Sequence, residues 1–228
     1  MPLATLLLLT PNADVDDDKV VAALDVGPDV RVLVRQPDLP PTGRKSVPRA
    51  APELFTVACE LRHDEPDAAV AAFDGVAGRL EGLIDPARSA ALAGVDNELL
   101  VAPDPDPGTA PGVLIYGMRR LPNLSHQQFI DYWIGTHADF GRVALAGHGY
   151  RQVHADAARS GAVAAAAGVR IDDFDGCVVS ANRSWAVRDA DQQTAEKQAA
   201  GSAALADEDN FIDHDRSLTM RYLVSPPA

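Results

Sequence analysis

The sequence predicts an α+β fold in which one βαββαβ unit occurs twice. Three observations predict it. A proline-rich stretch, Ala102-Pro-Asp-Pro-Asp-Pro-Gly-Thr-Ala-Pro-Gly112, divides the 228 residues into two parts of about equal length. Each part shows strand-like runs and helical stretches in the same order. In each part the long loop falls between the second and third strands, and a cysteine, Cys59 or Cys177, stands on the third. Together these describe a tandem ferredoxin-like repeat. Residues 1–102 form a degenerate first unit, 103–112 the linker and 113–228 the second unit.

The elements follow in order. Ala4 to Thr10 is a short apolar run of strand length. Asp14 to Asp18 leads into a short helix over Lys19 to Leu24, where acids complement the helix macrodipole. Val30 to Val34 is the second strand, Pro37 to Pro52 a proline-rich loop, and Leu54 to Leu61 the third strand. Pro66 to Ile84 reads as one Ala-rich helix with Val70, Phe73, Val76, Ala77 and Leu80 on one face. Glu98 to Val101 is the fourth strand. Four prolines in the eleven residues 102–112 exclude helix and central strand there. Beyond them, Val113 to Met118, Tyr150 to His154, Gly176 to Ser180 and Leu218 to Val224 read as strands. Ser125 to Ala146 and Asp189 to Leu205 read as helices, and Ala157 to Val169 is a Gly/Ala-rich insertion.

Composition narrows the function classes. There are 33 acidic against 20 basic residues, a net charge of -13. That balance argues against nucleic acid, which needs clustered Lys and Arg, and against anionic membrane. The longest apolar run, Leu6 to Leu9, is too short to span a bilayer, and the N-terminus has no secretory pattern. Two cysteines in apolar runs fit a reduced, cytoplasmic protein with buried thiols. No dinucleotide, Walker, nucleophile-elbow or zinc motif occurs. His214 lies among Asp209, Asp213 and Asp215, but without compact metal-ligand spacing, so no metal is expected.

The start of the helix at Ser125 is the best-marked position. Ser125 is an N-cap with Gln128 completing a capping box, flanked by Leu124 and Phe129. In that helical phase Phe129, Trp133, Thr136, His137 and Phe140 share one face, with Tyr132 on its flank. Such a stripe is ordinarily core, and a histidine on it is ordinarily structural. The alternative is a base: an apolar surround disfavours imidazolium and leaves a neutral imidazole at pH 7.

The stretch Leu124-Ser-His-Gln-Gln-Phe-Ile-Asp-Tyr-Trp-Ile-Gly-Thr-His-Ala138 resembles the EthD family. Phe129, Tyr132, Trp133, His137 and Ala138 match its Phe-x-x-Tyr-Trp-x-x-x-His-Ala/Gly signature, although Asp139 stands where the family often has Pro. Tyr150-Arg-Gln-Val-His154, Phe174-Asp-Gly-Cys-Val-Val and Asp207-Glu-Asp-Asn-Phe-Ile-Asp213 are similar to later segments, so the resemblance covers about residues 112 to 225. The first unit lacks the Tyr-Trp-His helix, because Asn12 to Asp29 is too short to hold it.

The resemblance implies a dimeric α+β barrel architecture with antiparallel sheets, here formed within one chain, with a homodimer as a further option. It also implies a small hydrophobic molecule as partner. That superfamily includes cyclases, decarboxylases, dehydratases, monooxygenases and haem enzymes, so fold alone leaves the reaction open. The expected site has His137, His154 and Tyr132 as catalytic groups. Tyr116, Phe129, Trp133, Tyr150 and Tyr222 would bind substrate. The expected chemistry is cofactor-free proton transfer next to a carbonyl, serving cyclisation, dehydration or decarboxylation. A non-catalytic ligand-binding protein and a haem enzyme, with His137 or His154 as axial ligand, are the alternatives.

Overall fold

A computed structural model describes residues 1–24, 26–35, 51 and 53–225. The first half of the chain forms β1 (Leu3–Leu9), α1 (Asp17–Leu24), β2 (Val30–Arg35), β3 (Val57–His63), α2 (Ala68–Ala72), α3 (Val76–Arg79) and β4 (Ala90–Leu100). The second half forms β5 (Gly112–Met118), α4 (His126–Tyr132), a π-helical turn (Trp133–His137), α5 (Ala138–Ala144) and β6 (Tyr150–Ala155). It continues through α6 (Ala157–Ala167), β7 (Arg170–Ile171), β8 (Gly176–Asn182), α7 (Trp185–Asp191), α8 (Ala195–Glu208) and β9 (Leu218–Val224). Most of the expected loop from Pro37 to Pro52 lies outside the described residues.

Within each half the strands pair as a ferredoxin-like sheet. In the first, β4 pairs with β1, β1 with β3 and β3 with β2, all antiparallel. In the second, β6 pairs with β8, β8 with β5 and β5 with β9. Two antiparallel pairings join the halves, β2 with β9 and β4 with β6. They close the ring β1-β3-β2-β9-β5-β8-β6-β4 into a barrel, and β7 adds a short parallel pairing to β4. The fold is the tandem ferredoxin-like barrel, supplied by a single chain. Closure leaves no exposed sheet edge along the ring.

Strand alternation splits the side chains between two faces. Leu6, Leu8, Leu33, Val113, Ile115, Val153, Cys177, Val179, Met220 and Tyr222 fill the barrel interior. Leu7, Leu9, Val57, Cys59 and Leu61 face outward under the helices of the first half. That is why all seven residues of β1 are buried and why it reads as an unbroken apolar run. Both thiols are free, and burial pushes Cys59 up to about 12 and Cys177 higher still, so both stay protonated.

One end of the barrel interior is ionic. Arg151 on β6 pairs with Glu60 on β3 and with Asp96 on β4, the latter at 2.9 Å. Arg31 pairs with Glu60, and Arg62 reaches Asp96 at 2.8 Å. Desolvation lowers Arg31 and Arg151 to about 10, each helped by a neighbouring guanidinium, yet both remain charged at pH 7. Arg151 thus ties the second half of the chain to two strands of the first.

The structure corrects several element boundaries. The expected helix over Pro66 to Ile84 is broken into α2 and α3, because Gly75 between them takes φ 71°, a left-handed conformation that glycine adopts without strain. The fourth strand starts at Ala90, eight residues before the expected Glu98; its Ala/Gly-rich beginning carries little strand signal. The helix expected over Asp189 to Leu205 is two helices, α7 and α8. The insertion at Ala157 is α6, which lies on the first half. Val163, Ala164 and Ala167 join that half's core, and Ser160 Oγ accepts from Ala93 N at 2.9 Å. It packs on β4 and against α2 and α3.

Candidate active site

The helix from Ser125 sets the site. Its capping box forms as the sequence indicates, Ser125 Oγ accepting from Gln128 N at 3.2 Å and Gln128 Oε1 from Ser125 N at 2.8 Å. Phe129 and Trp133 then turn inward and are fully buried. At Trp133–His137 the helix widens into a π turn, which inserts one residue and advances the buried face by one position. His137 and Ala138 are buried, whereas Thr136 and Phe140, expected on the buried face, are exposed. Gly141 takes the place Phe140 would have had. A Cβ there would lie 2.3 Å from Tyr150 Cε1, so the bare backbone is what lets α5 settle on the sheet.

Between this helix, α7, α8 and the outer face of the second half's sheet lies a cavity of about 500 Å³. Tyr116, Tyr150, Val178 and Thr219 floor it, His137 and Gly141 roof it, and Glu208, Arg188 and Lys197 come from α7 and α8. A smaller, largely apolar cavity of about 240 Å³ lies on the first half, with His63 as its one imidazole, hydrogen-bonded to Thr5 at 3.2 Å.

His137 is 5% exposed, and its Nδ1 lies 2.8 Å from Asp207 Oδ2. The other oxygen of Asp207 accepts from the Tyr132 hydroxyl at 2.8 Å. A carboxylate on Nδ1 holds the proton there in the neutral ring and leaves the lone pair on Nε2. Nε2 faces Glu208 Oε1 at 4.0 Å, and Glu208 Oε2 lies 3.4 Å from the Tyr116 hydroxyl. The ring packs against Phe211 at 5.0 Å between centroids. Burial and then Asp207 raise the Tyr132 phenol, which keeps it a proton-bearing donor to that carboxylate.

Of the expected residues, His137, Tyr116 and Tyr150 meet at the cavity. Tyr150 OH accepts from Gln152 Nε2 at 2.9 Å. The others lie elsewhere. Tyr132 is turned to Asp207 and not to the cavity. Phe129 and Trp133 are core beneath the helix. His154 stands edge-on to Trp133 at 5.1 Å with Nε2 3.2 Å from Gln152 Oε1, and burial holds it down to about 4. Tyr222 points into the barrel and donates to Phe55 O at 2.8 Å, because even-numbered residues of β9 face inward. Asp207 and Glu208 were not among the expected site residues. Their signal was the acidic run from Asp207 to Asp213 at the end of a helix, which by itself reads as solvated.

Among the described residues no group of three or more His, Cys, Asp or Glu side chains is arranged to hold a metal. The resemblance leaves haem open, with His137 or His154 as the axial ligand. His137 Nε2 faces the cavity with Glu208 Oε1 4.0 Å away, and His154 Nε2 lies 3.2 Å from Gln152 Oε1. Among the described residues no helix is long and apolar enough to cross a membrane.

Residues 121–215 match the family model for the EthD domain. Curated proteins include no sequence match. Solved structures of similar fold include an anthrone oxidase-like protein, 11% identical with a TM-score of 0.59, over 99% of this chain and 92% of that one. A mutant chlorite dismutase from Candidatus Nitrospira defluvii is 11% identical with a TM-score of 0.54, over 99% and 91%. At these identities the likeness is one of fold, the dimeric α+β barrel.

Proposed function

We propose that this protein, whose C-terminal half carries an EthD domain, is a small-molecule enzyme that moves a proton at a carbon next to a carbonyl group. Its substrate class is a hydrophobic aromatic or polyketide-like ketone. The observation that carries this reading is His137: its Nδ1 is held by Asp207 while Nε2 is presented to a cavity. That is the orientation of a general base. Nε2 takes the carbon-bound proton, and the electron pair passes to the carbonyl oxygen as an enolate. The Tyr116 hydroxyl on the cavity floor, which donates to Glu208 Oε2 at 3.4 Å, would turn to that oxygen as negative charge develops on it. The imidazolium, stabilised by Asp207, then returns the proton. An enolate formed this way leads to cyclisation or dehydration according to the substrate; in a decarboxylation the breaking C–C bond would itself leave the enolate, and the imidazolium would supply the proton that replaces the carboxyl group. No cofactor enters these steps, and two free, buried thiols suit a cytoplasmic protein.

The test uses simple ketone probes. In deuterated water the protein should catalyse exchange of the α-hydrogens of acetophenone and methyl naphthyl ketone, read by proton NMR. His137→Ala should lose a factor on the order of 100 to 10,000 in rate with binding retained. Equal exchange by His137→Ala at equal occupancy would overturn the assignment of the base, and ketone binding without exchange above the solvent rate by the unaltered protein would leave a binding protein as the reading.

A further inference from the structure

We infer that Glu208 is a second proton-handling group of this cavity and that His214 is its outlet to solvent. The inference rests on the proton-transfer reading above and extends it. Glu208 is 2% exposed, at the C-terminal end of α8, and lines the cavity. Groups from three different segments converge on its carboxylate. His137 Nε2 approaches Oε1 at 4.0 Å from the π turn, and the Tyr116 hydroxyl approaches Oε2 at 3.4 Å from β5. His214 Nε2 approaches the same Oε2 at 3.5 Å from the segment after α8. That nitrogen is buried and has no hydrogen-bond partner, an arrangement that is ordinarily destabilising. The His214 side chain is 11% exposed, and its Nδ1 lies 3.9 Å from Asp209 Oδ1, whose side chain is 75% exposed. Asp207 and Tyr132 are engaged on the far side of His137, and Arg188, Asp189 and Lys197 are the other charged groups lining the cavity.

The series His137, Glu208, His214, Asp209 therefore runs from the cavity to the surface. The Tyr116 hydroxyl already donates to Glu208 Oε2 at 3.4 Å, and the longer approaches of His137 at 4.0 Å and His214 at 3.5 Å are ones that a side-chain torsion or a bridging water closes. A proton taken from substrate carbon by His137 Nε2 passes to a Glu208 oxygen. His214 Nε2 accepts it from Glu208 and releases another from Nδ1 toward Asp209 and water. The electron pair left on the substrate stays in the enolate, and return of a proton along the same series restores every group.

The ketone exchange assay separates this from its premise. Glu208→Ala should lower exchange on the order of 100-fold, and added formate, which restores a carboxylate, should recover much of it. His214→Asn should lose on the order of 10-fold, recovered by added imidazole. Glu208→Asp serves if the alanine variant does not fold, and should keep more activity than Glu208→Gln. If His137→Ala loses exchange while Glu208→Gln keeps it, this inference alone is wrong. A His214→Asn rate indifferent to imidazole removes the outlet. If His137→Ala keeps exchange, both readings fall.

Discussion

Replacing Gly141 by alanine sets two opposing effects against each other. Gly141 lies in α5, where alanine is the better helix former by about 1 kcal/mol. A Cβ at this position, however, meets Tyr150 at 2.3 Å from Cε1, 2.6 Å from Cζ and 2.7 Å from the hydroxyl oxygen. The ring has little room to yield: Tyr150 is 1% exposed and accepts a hydrogen bond from Gln152 at 2.9 Å. Either the ring moves or α5 lifts from the sheet. Overpacking of this kind costs about 1–3 kcal/mol, and a broken hydrogen bond to Gln152 adds about 1. After the helix gain, the net loss should be about 1–3 kcal/mol, which lowers Tm by roughly 2–12 °C in a chain of this size. Urea unfolding of Gly141→Ala, Tyr150→Ala and the double variant gives the assay. Without the ring only the helix gain remains, so Gly141→Ala should stabilise the Tyr150→Ala protein by about 1 kcal/mol. An equal penalty in both backgrounds would refute the contact as its cause. Gly141 follows His137 by one turn, so a lifted α5 should also loosen the bond to Asp207 and slow ketone exchange.

Three further outcomes follow from particular groups. Arg151→Ala removes the cation that Glu60 and Asp96 share inside the barrel, and should cost about 3–5 kcal/mol in urea unfolding; a cost under 1 would mean that Arg31 and Arg62 suffice. Tyr222→Phe loses the bond to Phe55 O and should cost about 1–2 kcal/mol while binding of methyl naphthyl ketone stays unchanged; weakened binding would place Tyr222 at the cavity after all. Burial first, and His126 second, hold His154 down to about 4, whereas the unfolded chain titrates near its ordinary 6.5. Between these values only the unfolded chain takes up the proton. The stabilisation present above about pH 6.5 is therefore lost as pH falls toward about 4, by up to ~3 kcal/mol. Unfolding midpoints at neutral and acid pH should fall less in His154→Gln; an identical fall would assign the loss to other groups.

The local signals that proved legible were those with a short-range cause. Ser125 and Gln128 satisfy each other three residues apart, so the start of α4 is written in its own sequence. Tyr150, Gln152 and His154 alternate with Val153, and β6 turns them to opposite faces. Where the cause was not local, pattern failed. The alanines at the start of β4 form a strand because β1 pairs alongside them, and their own preference is weak. The π turn shifted the face on which Thr136 and Phe140 were expected, since helical spacing assumes no inserted residue.

By itself, then, the sequence determined the order of the two βαββαβ units, where α4 begins, and that His137 belongs to a buried aromatic helix. Only the tertiary structure decided what His137 meets. Asp207 lies 70 residues away and completes the imidazole's orientation only when α8 packs beside the π turn. Tyr116 and Tyr222 are both strand tyrosines of alternating segments, yet one faces the cavity and the other the barrel. Alternation says only that the two faces of a strand differ. Which face is inside was decided when β2 met β9 and β4 met β6 and the sheet closed.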